Sequence, residues 1–76
     1  MFILLTYWER GRLMELKKFN NKVVRIIDID NQKFEGICLY EDKDIFDEEY
    51  DALSVKSGIR WTKLFEYEIK EVKIIL

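Results

Sequence analysis

Aspartates at positions 42, 44 and 47 offer hard oxygen ligands within a few residues of one another, which is the raw material of a calcium loop. Such loops alternate their ligands regularly and turn sharply at a glycine; DKDIFD has neither feature, so the stretch reads as solvated and acidic. Glu48 and Glu49 are adjacent carboxylates, but acid–base work needs two groups in environments that push their pKa values apart, and nothing here separates this pair from an ordinary charged surface. Cys38 is the single cysteine and the chain has no histidine. Thiolate catalysis of the Cys-His type and Cys/His zinc sites are therefore ruled out, and Cys38 reads as a buried apolar thiol. These residues assign no catalytic group, metal or cofactor, and the expected class is a non-enzyme.

Binding chemistry is the alternative. Tyr40, Tyr50, Trp61 and Tyr67 could stack ligands, although aromatics of this kind more often fill cores and subunit interfaces. Lys17, Lys18, Lys22, Arg25 and Arg60 could meet phosphates. The formal net charge of −2 opposes a dedicated nucleic-acid binder, because neutralising phosphates calls for a basic surplus. That average is uneven. Residues 41–51 (EDKDIFDEEYD) carry seven acids and one lysine, net −6, which leaves +4 for the remainder and allows a modest basic face away from this loop.

The elements that must position these groups are mostly strands. In residues 13–19 (LMELKKF), Leu13, Leu16 and either Lys17 or Phe19 recur at helical spacing, and Asn20-Asn21 follows as a stop, so one or two helical turns are expected. From Lys22 the period becomes two: Val23, Arg25, Ile27 and Ile29 share one face, Val24, Ile26 and Asp28 the other. Asp30-Asn31 is a turn pair in which Asn31 can adopt positive φ. A returning strand, 33–40, is interrupted by Gly36, which signals a bulge, a bend or a close backbone approach. Further strands are expected at 52–56, 59–65 and 69–76, with a turn at Ser57-Gly58, a connector at 66–68, and Ile69, Val72 and Ile74 facing inward.

Seventy-six residues make one domain, which buries only about 60% of the surface its unfolded chain exposes. A domain this small gains stability from disulfides, metals or association, and the composition leaves association. The interface candidates are Ile59, Trp61, Phe65, Val72 and Ile74 along strand edges; a monomer whose N-terminal segment covers those edges is the alternative. The apolar run 2–8 (FILLTYW) is far shorter than the about 20 residues of a bilayer span and has the wrong flanks for a signal peptide. Together with one cysteine this points to a cytoplasmic protein with no membrane partner. Glu9-Arg10-Gly11-Arg12 can be encoded by a purine run containing a bacterial ribosome-binding site just before Met14. Residues 1–13 are then an extension upstream of a domain spanning 14–76; a genuine N-terminal strand or staple is the other reading.

The phrase Lys22-x-Val24-x-Ile26, the Asp30-Asn31 turn, Phe34-x-Gly36-x-Cys38 and Asp42 together resemble the first motif of the Sm and Sm-like (LSm) family, and Phe65-Glu-Tyr-Glu-Ile69 with Val72 resembles the place of the second. VVRIIDIDNQKFEG and FEYEIKEVKIIL are most similar to the short single-domain Sm-like proteins of Gram-positive bacteria. The resemblance implies a mainly β fold, a short helix followed by a five-stranded, strongly bent antiparallel small barrel, in which the fourth and fifth strands pair between subunits to close homo-oligomeric rings. RNA-binding members hold a base with a loop aspartate, a stacking side chain, an asparagine and an arginine-glycine pair. Asp42 matches the aspartate, whereas the other positions fall on Asp44, Phe46, Phe65 and Glu66. The expected partner is therefore the chain itself, with a protein or RNA beyond it and DNA excluded; RNA would be held by a non-standard set, Tyr40, Asp42, Lys22, Arg25 and Arg60.

Overall fold

A computed structural model describes residues 7–9 and 16–75. Its strands are β1 (Tyr7–Glu9), β2 (Lys22–Asp28), β3 (Lys33–Glu41), β4 (Ala52–Ser57), β5 (Arg60–Phe65) and β6 (Ile69–Ile74). All belong to one antiparallel sheet with the order β1-β6-β2-β3-β4-β5. Five strands, β2 to β6, make up the body of a small mainly β domain, and the three-residue β1 lies along the outer side of β6.

The strand signals translate directly into burial. On β2, Val24 and Ile26 are fully buried and Asp28 nearly so, while the intervening residues are half-exposed. The buried face continues through Cys38 on β3, Leu53 and Val55 on β4, Leu64 on β5, and Ile69 and Val72 on β6, with Phe34, Tyr40 and Ile74 packed around it. Each large side chain removed from water on this face contributes about 1.5 to 3 kcal/mol.

Three turns use the residue types that positive φ requires. Asn31 has φ 65°, and Asp28 caps its turn by accepting from the Asp30 and Gln32 amides through one carboxylate oxygen at 2.9 and 2.8 Å. Asn21 has φ 63° and donates its amide to the Cys38 carbonyl at 2.7 Å. Gly58, at φ 65°, makes the tight turn in which Ser57 and Arg60 close the β4–β5 ladder.

Two expectations are corrected. The N-terminal helix is a single 3-10 turn, Leu16–Phe19, with Leu13 to Glu15 outside the described residues. Apolar residues three apart face one side of a 3-10 turn as well as of an α-helix, and four residues are too few to nucleate the latter. Leu16 and Phe19 do bury their side chains, against β2 and β3. The second correction is that the sheet does not close: among the described residues β5 pairs only with β4. It does curl. Phe65 and Ile69 are joined by one 3-10 turn, Glu66–Glu68, a reach of about 14 Å at full stretch, whereas four inter-strand spacings in a flat sheet come to about 19 Å.

Strand limits differ slightly from expectation, Ile29 and Ile59 falling in turns. The register of β2 against β6 shifts between Ile27 and Asp28, which adds local twist where β6 begins. Residues 1–6 and 10–13 of the proposed extension lie outside the described residues; Tyr7–Glu9 belongs to the sheet through its backbone, opposite Lys73, Val72 and Glu71.

Candidate functional site

The acidic loop, residues 42–51, is built by its own first residue. Asp42 accepts from the Asp44 and Ile45 amides through its side chain and from Phe46 through its carbonyl. The Lys43 amide donates to Asp51 Oδ1 at 3.0 Å, and Asp47 takes φ 55°. Asp42 is thus occupied in shaping the loop. The loop is tied to the Glu66–Glu68 connector by the Glu66 amide, which donates to the Asp51 carbonyl at 2.9 Å. Glu68 in turn accepts from the Phe65 amide through its side chain, and its carbonyl accepts from Ile29.

Lys63 on β5 fastens the loop to the outer side of the sheet. Its Nζ lies 3.0 Å from Glu41 Oε1 and 2.7 Å from Glu48 Oε1, and 5.0 and 5.7 Å from the ring centres of Phe65 and Phe46. The Ser54 hydroxyl donates to the other Glu41 oxygen at 2.5 Å, which satisfies a polar side chain that is almost wholly buried. Burial alone raises the Glu41 pKa, but the hydrogen bonds from Ser54 and Lys63, with the Lys63 charge, outweigh it and hold the carboxyl below its ordinary range. The Lys63 ammonium is pushed up, first by its hydrogen bond to Glu48 and then by that to Glu41.

A pH dependence follows. The depressed Glu41 contributes stability that is complete above its unfolded pKa and lost as pH falls through the lower folded value; the raised Lys63 contributes below its unfolded pKa and loses this as pH rises through the higher folded value. The loop is accordingly held fast through neutral pH and loosened at both extremes. Carboxyl-detected NMR should show Glu41 titrating below the ordinary glutamate range and moving upward in Lys63→Met. A Glu41 midpoint at or above that range would show that the contact does not form in solution.

Other charges lie apart. Arg25 pairs with Glu35 across β2 and β3 on the outer face. Lys22 opens β2 and Arg60 opens β5, with β3 and β4 between those strands. Tyr40 packs against the core and donates its amide to Asn20 Oδ1. The five residues suggested for RNA thus belong to β2, β3, β5 and the acidic loop. Among the described residues no group of three or more Cys, Asp or Glu side chains gathers as a metal-ligand set, and no helix is long and apolar enough to cross a membrane. Cys38 is buried, and desolvation pushes its thiol up to about 12, which keeps it protonated and inert at neutral pH.

No family model, curated protein or solved structure matches the chain.

Among the described residues, two surfaces stand out where the chain can meet something else. One is the outer edge of β5, where Trp61 is half exposed, with Ile59 at the preceding turn 97% exposed. Phe65 and Ile74, also interface candidates, are half-buried; Val72 has no exposed surface, and its backbone lies between Trp8 of β1 and Ile26 of β2. The other is a pocket of about 400 Å³ between the acidic loop and the connector, lined by Glu48, Glu49, Tyr50, Phe65 and Tyr67. Tyr50 and Tyr67 were legible as aromatics, but their meeting was not, because one belongs to the loop and the other to the 3-10 turn after β5.

Proposed function

We propose that the chain is a non-enzymatic interaction module that assembles with copies of itself through the edges of its sheet, as the Sm-like resemblance implies. The observation that carries this reading is the strand order. The two strands that the resemblance pairs between subunits, β5 and β6, are the outermost long strands of the sheet. Among the described residues, β5 presents an unpaired row of backbone donors and acceptors beside Trp61, and β1 covers β6 only opposite Glu71 to Lys73. An exposed edge with apolar side chains is a template for another strand. A β5 edge meeting β6 of a second copy would extend the sheet from one molecule to the next and answer the stability deficit of so small a domain.

RNA binding is the weaker reading. The family's base-holding positions correspond here to an acidic, internally bonded loop whose lysine neighbour, Lys63, is already paired with two carboxylates. Such a surface repels phosphate.

Sedimentation velocity of the whole chain over the micromolar range tests the assembly. A multimer that persists at high salt is expected, since strand pairing and apolar burial are weakly screened. Trp61→Lys places a charge on the edge while leaving the core alone, and should weaken association by about tenfold or more. A monomer at all concentrations, or an unaltered sedimentation profile in Trp61→Lys, would remove the edge-pairing reading. Assembly abolished by nuclease would favour RNA instead.

A further inference from the structure

The pocket between the acidic loop and the connector has a chemistry of its own. The Tyr50 and Tyr67 rings meet at 70° with centres 5.0 Å apart, and Phe65 runs parallel to Tyr67 at 5.8 Å. They form an angled aromatic wall at the mouth of a cavity of about 400 Å³, a size that suits a small ligand. Both tyrosines remain nearly half exposed. Glu48 and Glu49 complete the lining; Glu48 is already engaged by Lys63, whereas Glu49 makes no ion pair among the described residues. The surrounding loop adds further negative charge, net −6 over residues 41–51.

Each component favours the same class of ligand. Aromatic faces carry negative potential and attract cations, most strongly those whose hydration shell is weak. Carboxylates supply the counter-charge and repel phosphates and other anions. The Lys63 ammonium, held by Glu41 and Glu48, also lies over the ring of Phe65, which lines the pocket, and over that of Phe46. A sodium ion, tightly hydrated, gains little from ring faces; an ammonium clothed in methyl groups gains both apolar contact and electrostatic attraction.

We propose that this pocket binds an alkylated ammonium ion, seated in the corner between Tyr50 and Tyr67 with Glu49 as its counter-charge. Such a group could arrive as a free small molecule or on the side chain of a methylated lysine. The site does not depend on self-association, so it stands or falls separately from the edges of the sheet.

The test is an NMR titration of the whole chain with choline, with its uncharged isostere 3,3-dimethylbutan-1-ol, and with sodium chloride at matched ionic strength. Choline is expected to shift the Tyr50 and Tyr67 resonances saturably, with the isostere about tenfold weaker and salt without effect. Tyr67→Ala and Glu49→Gln should each weaken choline by about fivefold or more; the half-exposed positions leave the fold intact, which the remaining spectrum checks. A trimethyllysine peptide that binds tighter than both choline and its unmethylated counterpart would identify a protein side chain as the source, and equal affinity to choline would identify the free cation. An isostere that binds as well as choline, salt that reproduces the shifts, or variants with unchanged affinity would overturn the proposal.

Discussion

Replacing Gly36 by alanine should cost the domain about 3 kcal/mol or more, through a clash that no side-chain rotation can relieve. A Cβ at this position would lie 1.7 Å from the carbonyl oxygen of Lys56 and 2.8 Å from its carbon, both main-chain atoms of β4. The adjoining rungs, Ile37 opposite Lys56 and Val24 opposite Gly36, hold the strand from either side, so the two backbones cannot simply draw apart. Gly36 also has φ 155°, a conformation that residues with a Cβ rarely adopt. For a domain with a total stability of only about 4 to 11 kcal/mol the loss is a large share, and it corresponds to a fall in Tm of roughly 12 to 24 °C. Valine adds further bulk and should be worse. Gly58 provides the control: its φ is positive, but nothing lies within 4 Å of an added Cβ, so Gly58→Ala should cost only about 1 to 2 kcal/mol. Thermal and urea unfolding of the two variants side by side settles the matter. A Gly36→Ala protein that melts with the parent would mean that β3 and β4 do not approach as described.

Removing residues 1–13 should strengthen self-association by about tenfold, because it frees the stretch of the outer β6 edge that β1 covers. β1 occupies the backbone groups on the far side of β6 from β2, opposite Glu71, Val72 and Lys73. A strand from a second copy has to displace it. Being tethered, β1 competes at a high effective concentration, yet three residues without a second neighbour make a weak strand, and a competitor worth about 1.4 kcal/mol produces the factor stated. Sedimentation equilibrium of the chains beginning at Met1 and at Met14 measures the difference. Tighter assembly by the longer chain, or equal constants for both, would show that β1 does not guard this edge. The same comparison gives the proposed start at Met14 a functional meaning, and the intact mass of the protein from its native host would reveal which form is made.

The five long strands were legible because their signals are local. Alternating β-branched residues in 22–28, Asn31 at a positive-φ turn, and Ser57-Gly58 before the fourth long strand each act over a few residues. The interruption at Gly36 is legible too, as a bulge, a bend or a close backbone approach, and the structure shows the close approach of another backbone there. The 3-10 turn is not distinguishable from an α-helical one in the sequence, because Leu16 and Phe19, three apart, suit either kind of helix. β1 is only an alternative in the sequence, since FILLTYW shows no alternation and the partner of Tyr7–Glu9 lies at the opposite end of the chain. Lys63 escaped notice for the same reason. Its partners, Glu41 and Glu48, belong to another strand and to a loop, and nothing in WTKLF distinguishes it from any exposed lysine.

The placement of β6 also governs how the protein reaches its native state. β2 through β5 follow one another as consecutive hairpins, which can form from neighbours in the chain. β6 is different: it inserts beside β2, pairing Val24 with Ile74 across almost the entire described domain. Folding rates fall as contacts span longer stretches of sequence, because the entropy of closing the loop is lost before the pairing compensates for it. The slow event should therefore be the arrival of the last strand, and until it occurs β2 and β5 both flank the meander with open sides. Newly made chains spend that interval most exposed to one another, so the features that suit the finished domain for assembly also make its unfinished form prone to aggregate.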